Sequence, residues 1–174
     1  MASEHTHYVY QDATIEFVTV AAQFCLFMEH AGEREKHDFI DKILCILPLL
    51  YLKTRMLAKP EQELDGYPQQ FVTEDDYDRV QQTVKDLFGS DDAYLEVYLE
   101  DMRYSDELIT AYISEDLTDI YQEMKDLAFN YQTADERVMN DAVLACLEAF
   151  DQHWGQKLLN VMRPLHALSL SQDE

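Results

Sequence analysis

An apolar periodicity through residues 133–168 constrains the fold of this chain more than any other feature. Within that stretch the apolar residues follow one another at spacings of one, three or four, the pattern of an α-helix with one buried stripe. The stripe consists of Val138, Met139, Ala142, Val143, Cys146, Leu147, Phe150, Trp154, Leu158, Val161, Met162 and Leu165. The sequence therefore predicts a helical last third, against which the other elements pack.

The same stretch also predicts where this helix begins and bends. Thr133 precedes a glutamate by three residues, which is the spacing of a capping box at a helix start. A single helix of about 35 residues would extend about 50 Å, which exceeds the width of a small domain. Gly155 weakens a helix, and Pro164 removes a main-chain donor. We therefore expect two collinear or kinked segments, at about residues 134–153 and 155–168.

Four earlier stretches have helical periodicity as well. They are residues 12–30, 38–57, 73–88 and a segment from about 106 or 114 to 131. The second is apolar on all sides, which predicts the central and most buried helix, bent or divided at Pro48. Prolines and a glycine in residues 58–72 predict a connection, and residues 90–107 predict a short helix plus a loop.

These elements define the expected fold class. We predict an all-α, single-domain bundle of five to seven mostly antiparallel helices with a long, kinked C-terminal helix. The domain is expected to span residues 12–168, with residues 1–11 and 169–174 as flexible termini. Four glycines and four prolines in 174 residues are too few for the turn density of an all-β protein.

Acidic residues are concentrated in the middle of the chain. The formal net charge is −22, and residues 61–126 contribute −16 of it through 20 acidic and 4 basic side chains. Nucleic-acid affinity rests on lysine and arginine displacing counterions, so direct binding of nucleic acid is disfavoured. The same field favours a basic protein partner or divalent cations, and it would suit mimicry of nucleic acid. The alternative is that the acids keep a small domain soluble.

Cysteine usage and hydropathy indicate the compartment. Cys25, Cys45 and Cys146 lie in apolar runs without a CxxC spacing, which predicts buried free thiols in a reducing compartment. The N-terminus lacks the pattern of a signal peptide, and the longest apolar run, residues 43–52, is about half the length of a bilayer span. We therefore expect a cytoplasmic protein, without membrane binding, that is a monomer or a homodimer.

Acidic residues on two predicted helices suggest a metal site. One helix carries a stripe of acids about 100° round from its apolar seam, here called the acid stripe, which consists of Asp116, Asp119, Glu123 and Asp126. Glu123 and Asp126 are three residues apart, as are Glu148 and Asp151. On antiparallel helices such pairs can converge on magnesium ions, which prefer oxygen ligands. The pattern is similar to that of all-α nucleotide pyrophosphohydrolases, although their first pair is usually two glutamates. The alternative is a solvated helix face.

Polar residues near the end of the chain predict a ligand-binding groove. Gln156 and Asn160 lie one turn apart on one helix face, beside a lysine and a tryptophan. Acids and a tyrosine from the 104–131 stretch would form the rim. The predicted binding residues are Tyr104, Asp106, Asp119, Trp154, Gln156, Lys157 and Asn160. Such a groove suits a peptide or small polar ligand, and the alternative is a packed tryptophan beside ordinary polar surface.

Five segments resemble the signature segments of an uncharacterised bacterial family, a domain of unknown function. They are residues 48–53 (PLLYLK), 104–107 (YSDE), 114–127 (SEDLTDIYQEMKDL), 139–142 (MNDA) and 154–159 (WGQKLL), together with His166. The resemblance implies a stand-alone helical protein of the bacterial cytoplasm, and it brings no activity, cofactor or catalytic residue. Pro164 stands where the family pattern has an alanine, which bears on the continuity of the last helix.

Together these features favour a non-enzymatic binding or adaptor module that acts through its acidic middle third or through the surface of residues 104–131 and 154–166. No cofactor is expected unless the chain is a magnesium-dependent nucleotide hydrolase that uses the four carboxylates. Acidic mimicry of nucleic acid is a third possibility. The hydrolase needs convergent carboxylates, mimicry needs them along an open face, and an adaptor needs an exposed apolar or aromatic patch beside them.

Overall fold

The chain folds into a helical bundle over residues 7–96 and 107–171, which the computed structural model describes. The helices are α1 (Asp12–Glu29), α2 (Lys36–Arg55), α3 (Glu74–Phe88), α4 (Ile113–Tyr131), α5 (Glu136–Ala149) and α6 (Gly155–Leu170). A π-helical turn, Phe150–Trp154, joins α5 directly to α6, so that the chain ends in one continuous helix of 35 residues. The prediction of an all-α bundle with a long C-terminal helix is confirmed.

A small antiparallel hairpin interrupts the bundle before α4. Its strands are β1 (Ala93–Leu95) and β2 (Thr110–Tyr112), with Ala93 opposite Tyr112 and Leu95 opposite Thr110. The short helix predicted after α3 is present as a 3₁₀ turn, Gly89–Asp92, but it does not extend further. Residues Ala93–Leu95 form β1 instead, because the strand-like alternation there turns Tyr94 towards the core and leaves its neighbours exposed. Residues 97–106 lie outside the described residues.

Helix α4 is the centre of the bundle. It packs against α1, α3, α5 and α6, and its predicted apolar seam is buried from Ile113 to Leu127. Four of its polar side chains are buried as well, and each is hydrogen-bonded: Ser114, Asp116, Thr118 and Asn130. Because polar residues also point inward, α4 is more buried than its narrow apolar stripe suggests.

The prediction that α2 is the central, most buried helix is therefore wrong. Helix α2 packs on α1 and α6, whereas its outer face lies in solvent, with Leu49, Leu52 and Met56 exposed by 43%, 54% and 58%. Helix α2 continues through Pro48, so the alternative of two short helices is wrong as well. A helix that is apolar on all sides is fully buried only if other elements pack against every side. Within the described residues, no element covers the outer side of α2.

The long C-terminal helix changes its hydrogen-bond pattern at the π turn instead of breaking at a glycine. The Gly155 N–H donates to the carbonyl of Phe150, five residues earlier, and the Trp154 indole donates to the carbonyl of Cys146 at 3.0 Å. The Phe150 and Trp154 rings are in edge-to-face contact, with centroids 4.6 Å apart. The backbone of Gly155 lies so close to Phe150 that a Cβ atom at position 155 would be 2.6 Å from the Phe150 carbonyl oxygen. This position therefore requires glycine.

The ends of several elements differ from the predictions. Asp135, and not Thr133, caps α5 by accepting from the first-turn amides of Arg137 and Val138. Within the predicted flexible terminus, residues 1–11, Val9 is fully buried and its carbonyl accepts a hydrogen bond from the Tyr131 hydroxyl. Aromatic hydrogen bonds and apolar burial thus hold the described part of this terminus on the bundle.

The cysteines differ in exposure, and the helices are limited in length and hydrophobicity. Cys25 and Cys146 are buried free thiols as predicted, but Cys45 is exposed on the outer face of α2. Among the described residues, every helix is too short or too polar to cross a bilayer.

Substitution of Gly155 by alanine should destabilise the protein. Alanine is ordinarily the better helix former by about 1 kcal/mol, but here its methyl group collides with a main-chain oxygen and a buried ring. We expect the free energy of unfolding, measured by urea denaturation, to fall by about 1–3 kcal/mol. Arg163→Ala, at an exposed position of α6, is the control and should change it by less than about 0.5 kcal/mol. If Gly155→Ala stabilised the protein, this result would contradict the close contact between Gly155 and Phe150.

Candidate functional site

The connection between α2 and α3 is held against the helices by side-chain hydrogen bonds. Residues 58–72, here called the strap, cross α4 and α5 without regular secondary structure. Their main-chain groups therefore need partners from elsewhere. The N-terminal segment supplies one, since the Tyr8 hydroxyl donates to the Ala58 carbonyl at 2.7 Å.

Helix α5 anchors the first half of the strap. The two carboxylate oxygens of Asp141 accept from the amides of Glu63 and Leu64, both at 2.8 Å. The neighbouring Asn140 donates from Nδ2 to the carbonyl of Glu61 at 2.7 Å. Asn140 and Asp141 are both buried, so these bonds are partly shielded from water, and the two bonds to the Asp141 carboxylate are charge-assisted.

Helix α4 anchors the second half of the strap. Asp126 Oδ1 accepts from the amides of Phe71 and Val72 at 2.6 and 2.9 Å. Asn130 donates from Nδ2 to the Gln69 carbonyl at 2.8 Å. Four side chains on two helices, with six hydrogen bonds, thus hold the strap over the groove between α4 and α5.

A cleft of about 160 Å³ opens beneath the strap, between α4 and α5, and we call it the strap cleft. The strap contributes Pro68 and the polar side chains of Gln69 and Gln70, and the helices contribute Glu123, Asn130 and Cys146. A second cavity of about 250 Å³ adjoins it, sharing Tyr67, Pro68 and Gln69. The Tyr67 side chain is 95% exposed at the rim of both cavities. The cleft thus combines apolar walls, amide groups and two carboxyl groups, those of Glu123 and of Asp126, which also holds the strap.

The acid stripe of α4 divides into partnered and unpartnered members. Asp116, Asp119 and Asp126 each accept hydrogen bonds from other elements. Glu123, which lines the strap cleft, receives no hydrogen bond and forms no ion pair within the described part of the chain, although it is half-buried. Glu123 is therefore the member of the acid stripe that is available to a ligand.

The protonation of Glu123 reflects this environment. Burial raises the pKa of its carboxyl to about 7, and the negative charges of Asp126 and Asp119 act in the same direction. Burial also raises the pKa of the neighbouring Cys146 thiol well above its usual range, with Glu123 contributing. A carboxyl of this kind gains from an approaching cation, because the cation stabilises the ionised form.

The carboxylates predicted for magnesium are used in different ways. Asp126 holds the strap, Asp151 pairs with Lys59 at 2.7 Å, and Glu148 is exposed on α5. Within residues 7–96 and 107–171, no group of three or more histidine, cysteine or acidic side chains is placed to hold a metal ion. The arrangement of Glu123, Asp126, Glu148 and Asp151 thus does not provide the convergent oxygen ligands that magnesium prefers.

Several residues of the predicted ligand groove do meet, but as an internal network. Lys157 contacts Asp119 at 2.5 Å and Asp116 at 3.5 Å, and Gln156 donates to Asn160 at 2.8 Å. Trp154 is fully buried and faces the core. Tyr104 and Asp106 lie outside the described residues.

The partners that complete this network come from α3 and the hairpin. Tyr77 donates to Asp119 at 2.6 Å, Tyr94 donates to Asp116, and Asn160 donates to Glu96. We call the network of Tyr77, Tyr94, Glu96, Asp116, Asp119, Lys157 and Asn160 the hairpin clasp. Because its members are already paired, the hairpin clasp holds β1 on α4 and α6 and is a less open ligand site than the strap cleft.

Burial and charge pairing in the hairpin clasp shift the pKa values of Asp116 and Lys157. Burial raises the pKa of Asp116 to about 6, although the Tyr94 hydrogen bond and the Lys157 charge oppose the shift. Burial alone would lower the pKa of Lys157, but the hydrogen bond and charge of Asp119 and the charge of Asp116 raise it. Lys157 thus remains a charged counter-ion at neutral pH.

Sequence reasoning missed Tyr77, Tyr94, Glu96 and Asp116 as parts of this network. A signal existed in the alternation of Tyr94 and Glu96, which places both on one face of a strand. The spacing of three between Asp116 and Asp119 likewise places both on one side of α4. Only the tertiary fold brings Asp116 and Asp119 to Lys157. It also brings Tyr94 to Asp116, and Glu96 to Asn160.

The Glu123→Gln variant should be more stable than the wild type at alkaline pH. The folded-state pKa of about 7 exceeds the ordinary value of 4.5, so the wild type loses stability as pH rises from about 4.5 to 7. The variant lacks this loss. We therefore expect a higher melting temperature for the variant at pH 8, with the difference shrinking towards pH 5. Glu148→Gln, which changes the net charge equally at an exposed position, is the control, and an equal effect of both variants would refute the assignment.

Comparisons with known proteins agree with the fold and add a family. The family described as "Domain of unknown function (DUF5063)" matches residues 8–171. The crystal structure of protein BF1032 from Bacteroides fragilis has 40% sequence identity and a TM-score of 0.84, and the match covers 95% of this chain and 98% of that chain. No curated protein matches the chain. The resemblance inferred from the signature segments is confirmed, and the chain belongs to the DUF5063 family.

Proposed function

We propose that this protein is a binding module whose strap cleft receives the cationic side chain of a basic protein segment, with Glu123 as the counter-charge. The observation that carries the proposal is the half-buried Glu123 carboxyl, which lines the cleft without a hydrogen-bond or ion-pair partner among the described residues. A lysine or arginine side chain would supply both the charge and the missing donors.

The surroundings of Glu123 support a cation of this kind. Residues 61–126, which include most of the strap and most of α4, carry a formal charge of −16 and would attract a basic partner over distance. The amide groups of Gln69, Gln70 and Asn130 offer acceptors at the cleft, and the exposed Tyr67 ring at its rim can contact a cation through its face. Charge, acceptors and an aromatic ring thus occur at one location.

The size of the strap cleft favours a side chain over a nucleotide. Its volume of about 160 Å³ lies below the roughly 300–1,000 Å³ of pockets that enclose a drug-sized ligand. Of the four carboxylates expected to bind magnesium, Asp126 is occupied by the strap, Asp151 is paired with a lysine and Glu148 lies exposed, which leaves Glu123 alone. Nucleotide hydrolysis therefore remains the weaker alternative.

Nucleic-acid mimicry also receives less support. A mimic presents carboxylates along an open face, in imitation of phosphates. In the acid stripe, three of the four carboxylates accept hydrogen bonds from within the protein. The remaining Glu123 lines a cleft and is suited to one inserted group.

Calorimetric titration with a short lysine-rich peptide, acetylated at its N-terminus, tests the proposal. We expect saturable binding that is lost in Glu123→Gln and retained in Glu148→Gln, because only Glu123 lines the strap cleft. With a pKa of about 7, the ionised fraction of Glu123 rises about tenfold between pH 6 and pH 8, and the affinity should rise with it. If both variants weakened peptide binding equally, general charge attraction would explain the binding. That result would overturn the proposal.

A titration of the same design distinguishes the hydrolase alternative from the proposed binding function. Magnesium or manganese chloride replaces the peptide, and the same two variants are compared with the wild type. Saturable metal binding lost in both Glu123→Gln and Glu148→Gln would support the hydrolase. The proposed function instead predicts that neither metal binds at a defined site formed by these carboxylates.

A further inference from the structure

The outer face of α2 carries an unusual row of apolar residues. We call this row the α2 stripe, and it consists of Cys45, Pro48, Leu49, Leu52 and Met56, all exposed. The stripe extends over about 16 Å of the helix. On the opposite side, α2 buries Ile43, Leu47 and Leu50 against the bundle, so the helix is held in place independently of the stripe.

The stripe has the spacing of a helix–helix seam. Cys45 and Leu52 are seven residues apart along its middle, and Leu49 and Met56 are seven apart along one edge. Positions seven apart recur on the same line of a helix that packs against another helix. A contiguous apolar row of this kind on an exposed helix marks an interaction surface more often than isolated exposed leucines do.

The second edge of the α2 stripe, which contains Pro48, has one charged residue near each end. Asp41, Pro48 and Arg55 are seven apart, with the acid and the base one heptad on either side of the proline. Both charged residues are exposed, and neither forms an ion pair in the part of the chain that the structure describes. The other bases nearby are engaged, because Lys42 pairs with Asp38 and Lys53 pairs with Glu16. The edge therefore has a free negative end and a free positive end.

This charge pattern is complementary to itself when one helix is reversed. In an antiparallel pair of identical helices, a two-fold axis brings the same edge of each helix together. An axis near Pro48 then places Asp41 beside the partner's Arg55, and places Cys45 beside the partner's Leu52. A parallel pair would instead place this edge beside the Leu49 and Met56 edge of the partner, so the acid and the base would not meet.

We propose that the α2 stripe packs against the α2 stripe of a second copy of this chain, antiparallel and about a two-fold axis near Pro48. The seam of about 16 Å is short. Interfaces that bury less than about 1,200 Å² are typical of weak or transient association, and the net charge of −22 on each copy opposes contact. We therefore expect a weak dimer that strengthens when salt screens the long-range repulsion.

Sedimentation equilibrium of the full chain up to millimolar concentration tests this dimer. The wild type should show a reversible monomer–dimer equilibrium at physiological salt. Leu52→Glu should weaken it at least tenfold, because a carboxylate would enter the seam. Leu159→Glu is the matched control, since Leu159 is exposed by 44% on α6, outside the α2 stripe, and it should leave the equilibrium unchanged. Circular dichroism checks that both variants fold.

Charge reversal tests the antiparallel orientation. Asp41→Arg and Arg55→Asp should each weaken the dimer severalfold, because each places like charges together, and the double variant should recover the wild-type equilibrium. A wild type that stays monomeric to millimolar concentration, or equal effects of Leu52→Glu and Leu159→Glu, would overturn the proposal. Failure of the double variant to recover dimerisation would overturn the antiparallel arrangement.

Discussion

Carboxylates that accept hydrogen bonds from the main chain hold together the parts of this fold that lie outside the helices. Asp141 accepts from two strap amides, Asp126 accepts from two more, and the buried Asp92 accepts from the amide and hydroxyl of Ser114 at the start of α4. Hydrogen bonds to charged groups contribute about 1.5–3 kcal/mol each. Together with the amide donors of Asn130 and Asn140 and with the hairpin clasp, these bonds fix the strap and the hairpin on the bundle.

This use of carboxylates changes the meaning of the acidic composition. The sequence suggested an acidic surface in residues 61–126, yet several of those acids face inward: Asp92, Asp116, Asp119 and Asp126. Asp116 and Asp119 are balanced by Lys157, and Asp126 by amide donors. Glu123 remains without a counter-group among the described residues, and it lines the cleft that the strap covers. The candidate site therefore results from the way in which the strap is anchored to α4 and α5.

The helices could be predicted from the sequence because apolar spacing reports which face of a segment is buried. The long C-terminal helix and the seam of α4 followed from that rule. The central position of α4 did not, since a buried serine or asparagine looks the same in sequence as an exposed one, and its partner is distant: Asn130 bonds to Gln69. Nor could Glu123 be separated from Asp126 within the acid stripe, because the strap amides that distinguish them lie more than fifty residues away.

Hydrogen exchange of the strap amides, resolved by residue with NMR, tests most directly whether helix carboxylates hold the strap. The amides of Glu63, Leu64, Phe71 and Val72 belong to a segment without regular secondary structure, and the account predicts that they exchange slowly in the wild type. In Asp141→Ala, protection should be lost at Glu63 and Leu64 and largely kept at Phe71 and Val72. Exchange of all four amides at the rate of an unstructured peptide in the wild type would contradict the account.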